Sequence, residues 1–201
     1  MDEKRIENRA FSSDFSDQEQ LERFTYIGCR FSGIRFDDTI FDHCTFERCT
    51  FVGCSFGAAI FRRSMLLNCV FRMCRFFAAE FDNCKMTGSA FFDIEIVAFD
   101  IKGGNWSFTD LRDLSFYKMQ IHGVNFEGAD LRNCCMDQAV FRNCSFRSAR
   151  FGNTSVFSAD LRSCDLSGSN VGGLLLKKTK IDLMQSVLLA ESLGAVYEGE
   201  L

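Results

Sequence analysis

Residues 31–56 decide the fold, and they read FSGIRFDDTIFDHCTFERCTFVGCSF. A phenylalanine returns at every fifth position of this stretch, and a large apolar residue keeps the same register as far as Ile181. Helices repeat a face about every 3.6 residues and strands about every 2, so a period of five fits neither. The backbone must instead turn a corner every five residues.

The position two residues before each apolar centre carries small side chains. Ten of the eleven cysteines stand there, Cys135 being the exception, and nine other copies have alanine or serine. Cysteine in such a position behaves as a small buried apolar residue. The odd number of cysteines favours reduced thiols, so we expect a cytoplasmic protein. No apolar run could span a bilayer and no leader-like segment opens the sequence, so we expect no membrane partner.

The five-residue unit is small, variable, large apolar, variable, variable, as in ADLRN at 129–133 and ADLRS at 159–163. This unit resembles the A(D/N)LXX repeat of the pentapeptide-repeat family over roughly residues 27–181. The resemblance implies an all-β fold, a right-handed quadrilateral parallel β-helix with four pentads per coil. Residues 20 apart in sequence would then stack, with the apolar centre and the small residue inside.

The repeat divides the chain into three segments. Residues 1–25 are expected to form a partly irregular N-terminal cap, residues 26–181 the β-helix, and residues 182–201 a helix with a tail. In the cap, residues 16–19 read as a capping box opening a short helix, and Phe15 indicates a one-residue slip. Residues 182–193 predict a helix in which Asp182 is the N-cap, Gln185 completes a capping box and Gly194 follows the end.

The apolar residues of this C-terminal helix cover more of its circumference than one buried stripe requires. One face can close the last coil, and we expect the remainder to join a second copy in a homodimer. The alternative is that residues 195–197 of the tail fold back over the helix. The residues expected in the dimer interface are Leu183, Met184, Val187, Leu188 and Leu193.

The middle of the repeat departs from the pattern. Large residues occupy the small position at Ile94, Phe99, Leu114, Met119 and Val124, and Gly103-Gly104-Asn105 adds a turn signal. Either the coil widens here or a short segment near residues 94–110 leaves it. Because the register survives, any excursion must be a multiple of five residues.

Few residues suggest chemistry. His43 and His122 fall on outward positions of different coils, and neither accompanies a recognisable nucleophile motif. The stacked Cys29, Cys49 and Cys69 would offer a metal neither tetrahedral geometry nor an entry path. We therefore expect no catalytic residue, no metal and no cofactor, and the protein is not expected to be an enzyme.

The outward positions carry two candidate partner-binding groups. Phe77, Val97 and Tyr117 would form an apolar column with Phe92 on the neighbouring face, which is either a partner surface or is covered by the irregular middle. Three acidic pairs would stack, and an acidic strip of this kind could stand in for a phosphate backbone. These pairs are Glu80 over Asp100, Asp93 over Asp113, and Asp110 over Asp130.

The charge distribution limits the interpretation of the acidic pairs as a substitute for a phosphate backbone. The whole chain has a net charge of -4, yet residues 101–181 contain 7 acidic and 11 basic side chains, a net +4. Solvated mixed charge is the alternative interpretation of the acidic pairs. Direct contact with nucleic acid is not expected.

The C-terminal segment is similar to that of topoisomerase-protecting pentapeptide-repeat proteins, the Qnr-type and MfpA-like members. The similarity lies in Lys180-Ile181-Asp182, Gln185, Leu188-Leu189, Glu191, Leu193-Gly194 and Val196. It implies a homodimer that binds DNA gyrase or topoisomerase IV, partly as a DNA mimic, and protects it from a quinolone or a peptide toxin. The alternative is a protein-interaction scaffold with an unrelated partner.

Overall fold

The computed structural model describes residues 4–12 and 20–198, and the chain forms two compact units, Met1–Asp110 and Leu111–Leu201. Both are stretches of parallel β-solenoid in which each segment pairs with the one 20 residues further on, as the five-residue period predicts. The strands of the first unit are β1 Lys4–Glu7, β2 Ala10–Ser12, β3 Gln20–Glu22, β4 Phe24–Ile27, β5 Arg30–Ser32, β6 Ile40–Asp42, β7 Thr45–Glu47, β8 Thr50–Val52, β9 Ile60–Arg62, β10 Met65–Leu67, β11 Val70–Arg72, β12 Arg75–Phe77, β13 Glu80–Asp82, β14 Ala90–Phe92, β15 Glu95–Val97 and β16 Asp100–Lys102.

Four parallel ladders form the four faces of the first unit. Their strand orders are β1-β4-β7-β10, β2-β5-β8-β11-β14, β12-β15 and β3-β6-β9-β13-β16. Each strand is only three or four residues long, because the chain turns a corner between one face and the next. Many of these corners place a residue at positive φ, as at Arg48 (φ 52°) and Asn68 (φ 52°).

The interior of the first unit is a set of stacked phenylalanines. Phe31 and Phe51 stack with ring centroids 4.8 Å apart, and Phe41 and Phe61 stack at 4.4 Å. Neighbours within a coil meet edge to face, as Phe51 and Phe56 do at 5.7 Å and 69°. Such pairs add about 0.5–1.5 kcal/mol each beyond area burial, so each coil depends on the coils above and below it.

The small position is also a hydrogen-bonding position. Ser89 Oγ donates to the carbonyl oxygen of Leu66 at 2.6 Å, and Thr154 Oγ1 donates to that of Leu131 at 2.7 Å. Cys44 Sγ makes the equivalent contact with the carbonyl of Leu21 at 3.1 Å. The side chain in this position therefore contacts the carbonyl of an apolar centre 23 residues earlier. All eleven cysteines are free thiols.

The segment between Ile94 and Asp110, where the sequence departs from the repeat pattern, stays in the coil. Strand β15 pairs with β12, β16 pairs with β13, and Asn105 bridges to Lys85, all in the register of the rest of the unit. Of the large residues at the small position in this segment, Ile94 is only half-buried, whereas Phe99 is buried.

At the N-terminus the ladder extends beyond the expected boundary at residue 26. Strand β1 pairs with β4 and β2 with β5 in the common register. The capping box at residues 16–19 and the slip at Phe15 fall on residues 13–19, outside the described part of the chain. The division into three segments stays a prediction.

The second unit has fewer regular strands and more isolated bridges. Its elements are β17 Gln120–His122, β18 Val140–Arg142, β19 Thr154–Ser155, a 3-10 turn Val171–Gly173, β20 Leu174–Leu175 and helix α1 Leu183–Ser192. Bridges such as Ser115 with Cys135 and Asn125 with Ser145 keep the spacing of 20 between the strands. Among the described residues, no helix is long and apolar enough to cross a membrane.

Helix α1 confirms the helix expected at residues 182–193. Asp182 accepts a hydrogen bond from Gln185 N at 3.1 Å, and Gln185 Oε1 accepts one from Asp182 N at 3.1 Å, which completes the capping box. Gly194 follows the helix at φ 92°.

Candidate protein-interaction surfaces

The first surface is an apolar corner of the first unit, formed by Ala58, Phe77, Ala78, Val97 and Ala98. Phe77 and Val97 are partners in the β12–β15 ladder, and their exposed fractions are 62% and 57%. The three alanines are exposed and follow one another at intervals of 20 residues. The corner therefore carries apolar side chains over three successive coils.

The alanines of this corner sit in the left-handed region of backbone space. Their φ angles are 51°, 53° and 55° at Ala58, Ala78 and Ala98. Left-handed backbone costs a non-glycine residue about 1–2 kcal/mol, and asparagine or aspartate tolerates it better than alanine. The sequence analysis missed the alanines, and their spacing of 20 from one another was the available signal.

A second group of apolar side chains lies at the preceding corner. Phe92 is half-buried and has the Arg72 guanidinium 4.6 Å from its ring centroid, so a cation–π contact covers part of it. Met73 is exposed. It lies beside Phe92, because the Met73 N–H donates to the carbonyl of Phe92 at 3.0 Å. Met73 was missed because methionine in a repeat of this kind is usually a core residue.

Tyr117 belongs to the second unit. Its side chain is nearly half exposed, its hydroxyl accepts a hydrogen bond from Gln138 Nε2 at 3.3 Å, and Lys118 Nζ lies 4.9 Å from its ring centroid.

The acidic pair Glu80 and Asp100 is stacked in register but is not a bare anionic strip. Lys102 Nζ lies 2.6 Å from Glu80 Oε2 and 3.6 Å from Asp100 Oδ2, so one ammonium group bridges both carboxylates. The hydrogen bond to Glu80 raises the pKa of Lys102 above its ordinary value. The lysine reaches diagonally across the ladder, so the two stacked carboxylates share a positive partner.

Of the remaining acidic candidates, Asp93 and Asp110 belong to the first unit. Asp93 is exposed at a corner with φ 53°, and Asp110 is half-buried, its backbone carbonyl accepting from Phe91 N at 3.1 Å. In the second unit, Asp113 accepts a hydrogen bond from Asn133 Nδ2 at 3.0 Å.

Asp130 is paired with two arginines. Arg132 Nη2 lies 2.6 Å from its Oδ2, and Arg112 Nε lies 3.9 Å away. Burial acts to raise the pKa of Asp130, but the hydrogen bonds from Arg132 outweigh it and the pKa lies below its ordinary value. Asp130 is thus part of a mixed-charge cluster.

The other surface is the apolar side of helix α1. Of the five residues expected at a dimer interface, Leu183, Met184 and Leu193 are 69%, 55% and 85% exposed, whereas Val187 and Leu188 are half-buried. A cavity of about 510 Å³ opens between the helix and the last coil, and Leu166, Leu183, Met184 and Leu188 are among its lining residues.

The tail covers a different side of the helix. Val187, Glu191 and Tyr197 line a second, smaller cavity of about 220 Å³, and Ala195 N donates to Ala190 O at 3.0 Å. The tail therefore approaches the Val187 side, with Val196 81% and Tyr197 43% exposed. Leu183 and Met184 stay open to a partner.

Among the residues that the structure describes, neither histidine is hydrogen-bonded to a Ser, Thr or Cys side chain. His43 Nδ1 lies 2.9 Å from Asp42 Oδ1 at an exposed corner, and His122 is an exposed residue of β17. Within the described ranges, no group of three or more His, Cys, Asp or Glu residues is placed to hold a metal ion.

Comparison with known proteins finds one matching family model and several similar solved structures. Eight copies of the family model described as pentapeptide repeats match residues 29–66 and 125–168. No curated protein matches the chain.

Two solved structures illustrate the likenesses. A trypsin-treated form of QnrB1, described as a plasmid-mediated fluoroquinolone resistance protein, is 20% identical with a TM-score of 0.48 over 97% of this chain and 98% of that one. HetL from the cyanobacterium Nostoc sp. strain PCC 7120, described as involved in heterocyst differentiation regulation, is 16% identical with a TM-score of 0.45 over 89% of this chain and 85% of that one. The repeat model and the ladder register of 20 residues agree: residues 29–66 and 125–168 are pentapeptide repeats.

Proposed function

We propose that this protein is a non-catalytic, cytoplasmic binding protein that docks on a type II topoisomerase, DNA gyrase or topoisomerase IV, and protects it from a quinolone or a peptide toxin. The observation that carries the proposal is helix α1. The segment that resembles the topoisomerase-protecting members forms a capped helix with Leu183 and Met184 exposed.

The apolar corner is the docking surface in this proposal. Two large apolar side chains, Phe77 and Val97, stand exposed and adjacent in register. Buried apolar anchors at the centre of an interface carry most of the binding free energy. The compensated pair Glu80 and Asp100 argues for apolar docking over DNA mimicry along the whole surface.

The same helix is proposed to join two copies of the chain. Leu183 and Met184 line the open cavity beside the last coil. A second copy of the chain, related by a two-fold axis, would fill that cavity with its own Leu183 and Met184. Sedimentation equilibrium should give the mass of a dimer, and Leu183→Glu with Met184→Glu should give that of a monomer. Lys178→Glu is the charge control and should leave the dimer intact, whereas a monomeric unmodified protein would contradict this part of the proposal.

The test of topoisomerase protection is DNA supercoiling by purified gyrase, with and without a quinolone. The protein should raise the quinolone concentration required for inhibition. Phe77→Ser with Val97→Ser should weaken the effect by about tenfold, the loss of roughly 1.4 kcal/mol expected from removing an interface anchor.

Phe108→Ser is the matched control, because Phe108 is equally exposed in the first unit but lies at a different corner. It should protect gyrase as well as the unmodified protein does. A protein that neither inhibits gyrase nor rescues it, tested in parallel on topoisomerase IV, would remove the topoisomerase assignment.

The second candidate is a scaffold for an unrelated protein partner. It is favoured by the strained alanines of the apolar corner, which indicate an apolar contact without specifying topoisomerase. Under this alternative the Phe77 and Val97 variants fold normally and gyrase is unaffected by any form of the protein.

A further inference from the structure

A groove on the first unit is lined by basic side chains, and nothing in the proposed function uses it. We call it the basic groove and define it by Arg23, His43, Arg63, Asn83 and Lys85. Its volume is about 400 Å³, within the range of small-molecule sites.

The backbone ladder brings four of these residues into one column. Arg23 N donates to Asp42 O at 3.0 Å, His43 N to Arg62 O at 3.0 Å, and Arg63 N to Asp82 O at 2.8 Å. All four corner residues, including Asn83, have positive φ angles between 46° and 55°. Their side chains follow one another at the coil spacing of about 4.8 Å.

Lys85 adds a cation from the neighbouring face. It bridges to Met65, another lining residue, and Lys85 N donates to Ser64 O at 2.9 Å. Among the residues that the structure describes, Lys85 forms no ion pair. No described carboxylate belongs to the lining.

Three carboxylates, those of Glu22, Asp42 and Asp82, flank the groove without lining it. Asp42 Oδ1 is shared between His43 Nδ1 at 2.9 Å and Arg63 Nη2 at 3.3 Å. Glu22 lies 3.7 Å from Arg23, outside hydrogen-bond distance. Asp82 Oδ1 accepts a hydrogen bond from Asn83 Nδ2 at 2.8 Å. Three permanent cations therefore face one groove that three carboxylates flank, and none of these carboxylates is ion-paired with Lys85 in the described part of the chain.

We propose that the basic groove binds a ligand carrying two or more phosphate groups. Arg23 and Arg63 are two coils apart, a rise of about 10 Å, so a single carboxylate cannot reach both. Successive phosphate groups of one ligand can reach both arginines. Arginine and lysine are the side chains that bind phosphate oxygens with charge-assisted hydrogen bonds. The proposal does not depend on the topoisomerase assignment.

Binding is tested by calorimetric titration of the full chain with inorganic tripolyphosphate at constant ionic strength. Arg63→Gln and Lys85→Gln should each weaken binding by about tenfold, the effect of one lost charged hydrogen bond. Arg48→Gln is the matched control, since Arg48 is an exposed corner arginine of the same unit that pairs with Glu47 at 3.0 Å and lies outside the groove. It should change the affinity less than about twofold.

A second arm uses a single-stranded DNA of about 12 nucleotides, which presents phosphodiesters in place of phosphoanhydrides. If the groove variants weaken only tripolyphosphate, the ligand is a small polyphosphate; if they weaken the oligonucleotide more, it is a nucleic acid strand. The proposal is overturned if neither probe binds, or if Arg48→Gln weakens both probes as much as the groove variants do. Thermal unfolding of each variant checks that the exposed substitutions leave the fold intact.

Discussion

The side-chain amide of Gln185 donates a 2.6 Å hydrogen bond to the backbone carbonyl of Leu161, and a second of 2.8 Å to the carbonyl of Cys164. Gln185 is the one buried residue of helix α1, with 1% exposure. It thus completes the capping box and also satisfies two carbonyls of the last coils. Gln185 fastens the helix to the solenoid together with Asp182, whose Oδ2 accepts a hydrogen bond from Ser163 N at 3.0 Å.

Replacing Gln185 by alanine should destabilise the protein by about 2–3 kcal/mol, because the Cys164 carbonyl loses its side-chain donor and the Leu161 carbonyl keeps only the bond from Cys164 N at 3.1 Å. Urea unfolding monitored by circular dichroism measures the change. Ser186→Ala is the control on the same helix: its hydroxyl contacts only the local carbonyl of Leu183, and less than about 0.5 kcal/mol is expected. Equal effects of the two variants would mean that Gln185 does not hold the helix in place.

Ser89 offers a test of the hydrogen-bonding role of the small position. Its hydroxyl donates to Leu66 O at 2.6 Å and accepts from Cys69 N at 2.9 Å. Ser89→Ala preserves the small size but removes both bonds, so a loss of about 1–3 kcal/mol in unfolding free energy is expected.

Ser89→Cys is the informative companion, since it restores a weak donor in the same position. It should recover part of the loss in the same urea titration. If alanine is as stable as serine at residue 89, the small position selects for size alone.

The spacing of five residues predicts the ladder register and the inward phenylalanines, and the capping residues Asp182 and Gln185 predict the helix after Asp182. It does not predict the hydrogen bonds of the small position. Cysteine, serine and threonine share a γ-atom hydrogen that alanine lacks, but the carbonyl they contact, such as Leu66 O for Ser89, is defined only once coils stack.

The surfaces are less predictable than the interior because outward positions carry no periodic constraint. Phe77 beside Val97 follows from stacking residues 20 apart. The bridge from Lys102 to Glu80 spans 22 residues, because a long flexible side chain reaches diagonally, and simple stacking does not include such contacts.

The buried thiols predict a dependence of stability on alkaline pH. Burial raises the pKa of Cys44 from 9.0 to about 11 and that of Cys84 to about 12. In the unfolded chain these thiols ionise near their ordinary pKa, so above about pH 9 the unfolded state binds fewer protons than the folded state. The stabilising contribution is complete below about pH 9 and is lost as pH rises towards about 11 for Cys44 and about 12 for Cys84.

At about pH 10 each of these thiols should lower the unfolding free energy by about 1 kcal/mol relative to about pH 7. Guanidinium titrations at the two pH values measure the difference. Cys84→Ala should reduce the pH dependence, although it also destabilises the protein at neutral pH, whereas Cys135→Ala at the half-buried thiol serves as the comparison. An unchanged pH dependence in Cys84→Ala would contradict the assignment.

Gly104 occupies a small position that no other residue fits. Its φ is 96°, and a Cβ there would lie 2.3 Å from the carbonyl oxygen of Cys84. That oxygen already accepts the ladder hydrogen bond from Asn105 N at 2.8 Å, so the backbone of two coils would have to move. Gly104→Ala should therefore cost about 3 kcal/mol or more, beyond the roughly 1–2 kcal/mol of left-handed backbone alone.

Gly53→Ala separates the two contributions to that cost. Gly53 has φ 62° and nothing within 4 Å of an added Cβ, so its replacement measures the backbone term without a clash. We expect about 1 kcal/mol for Gly53→Ala in the same urea titration. Equal costs at the two glycines would show that the coil widens around residue 104 without resistance, and the close approach to Cys84 would then not explain the glycine.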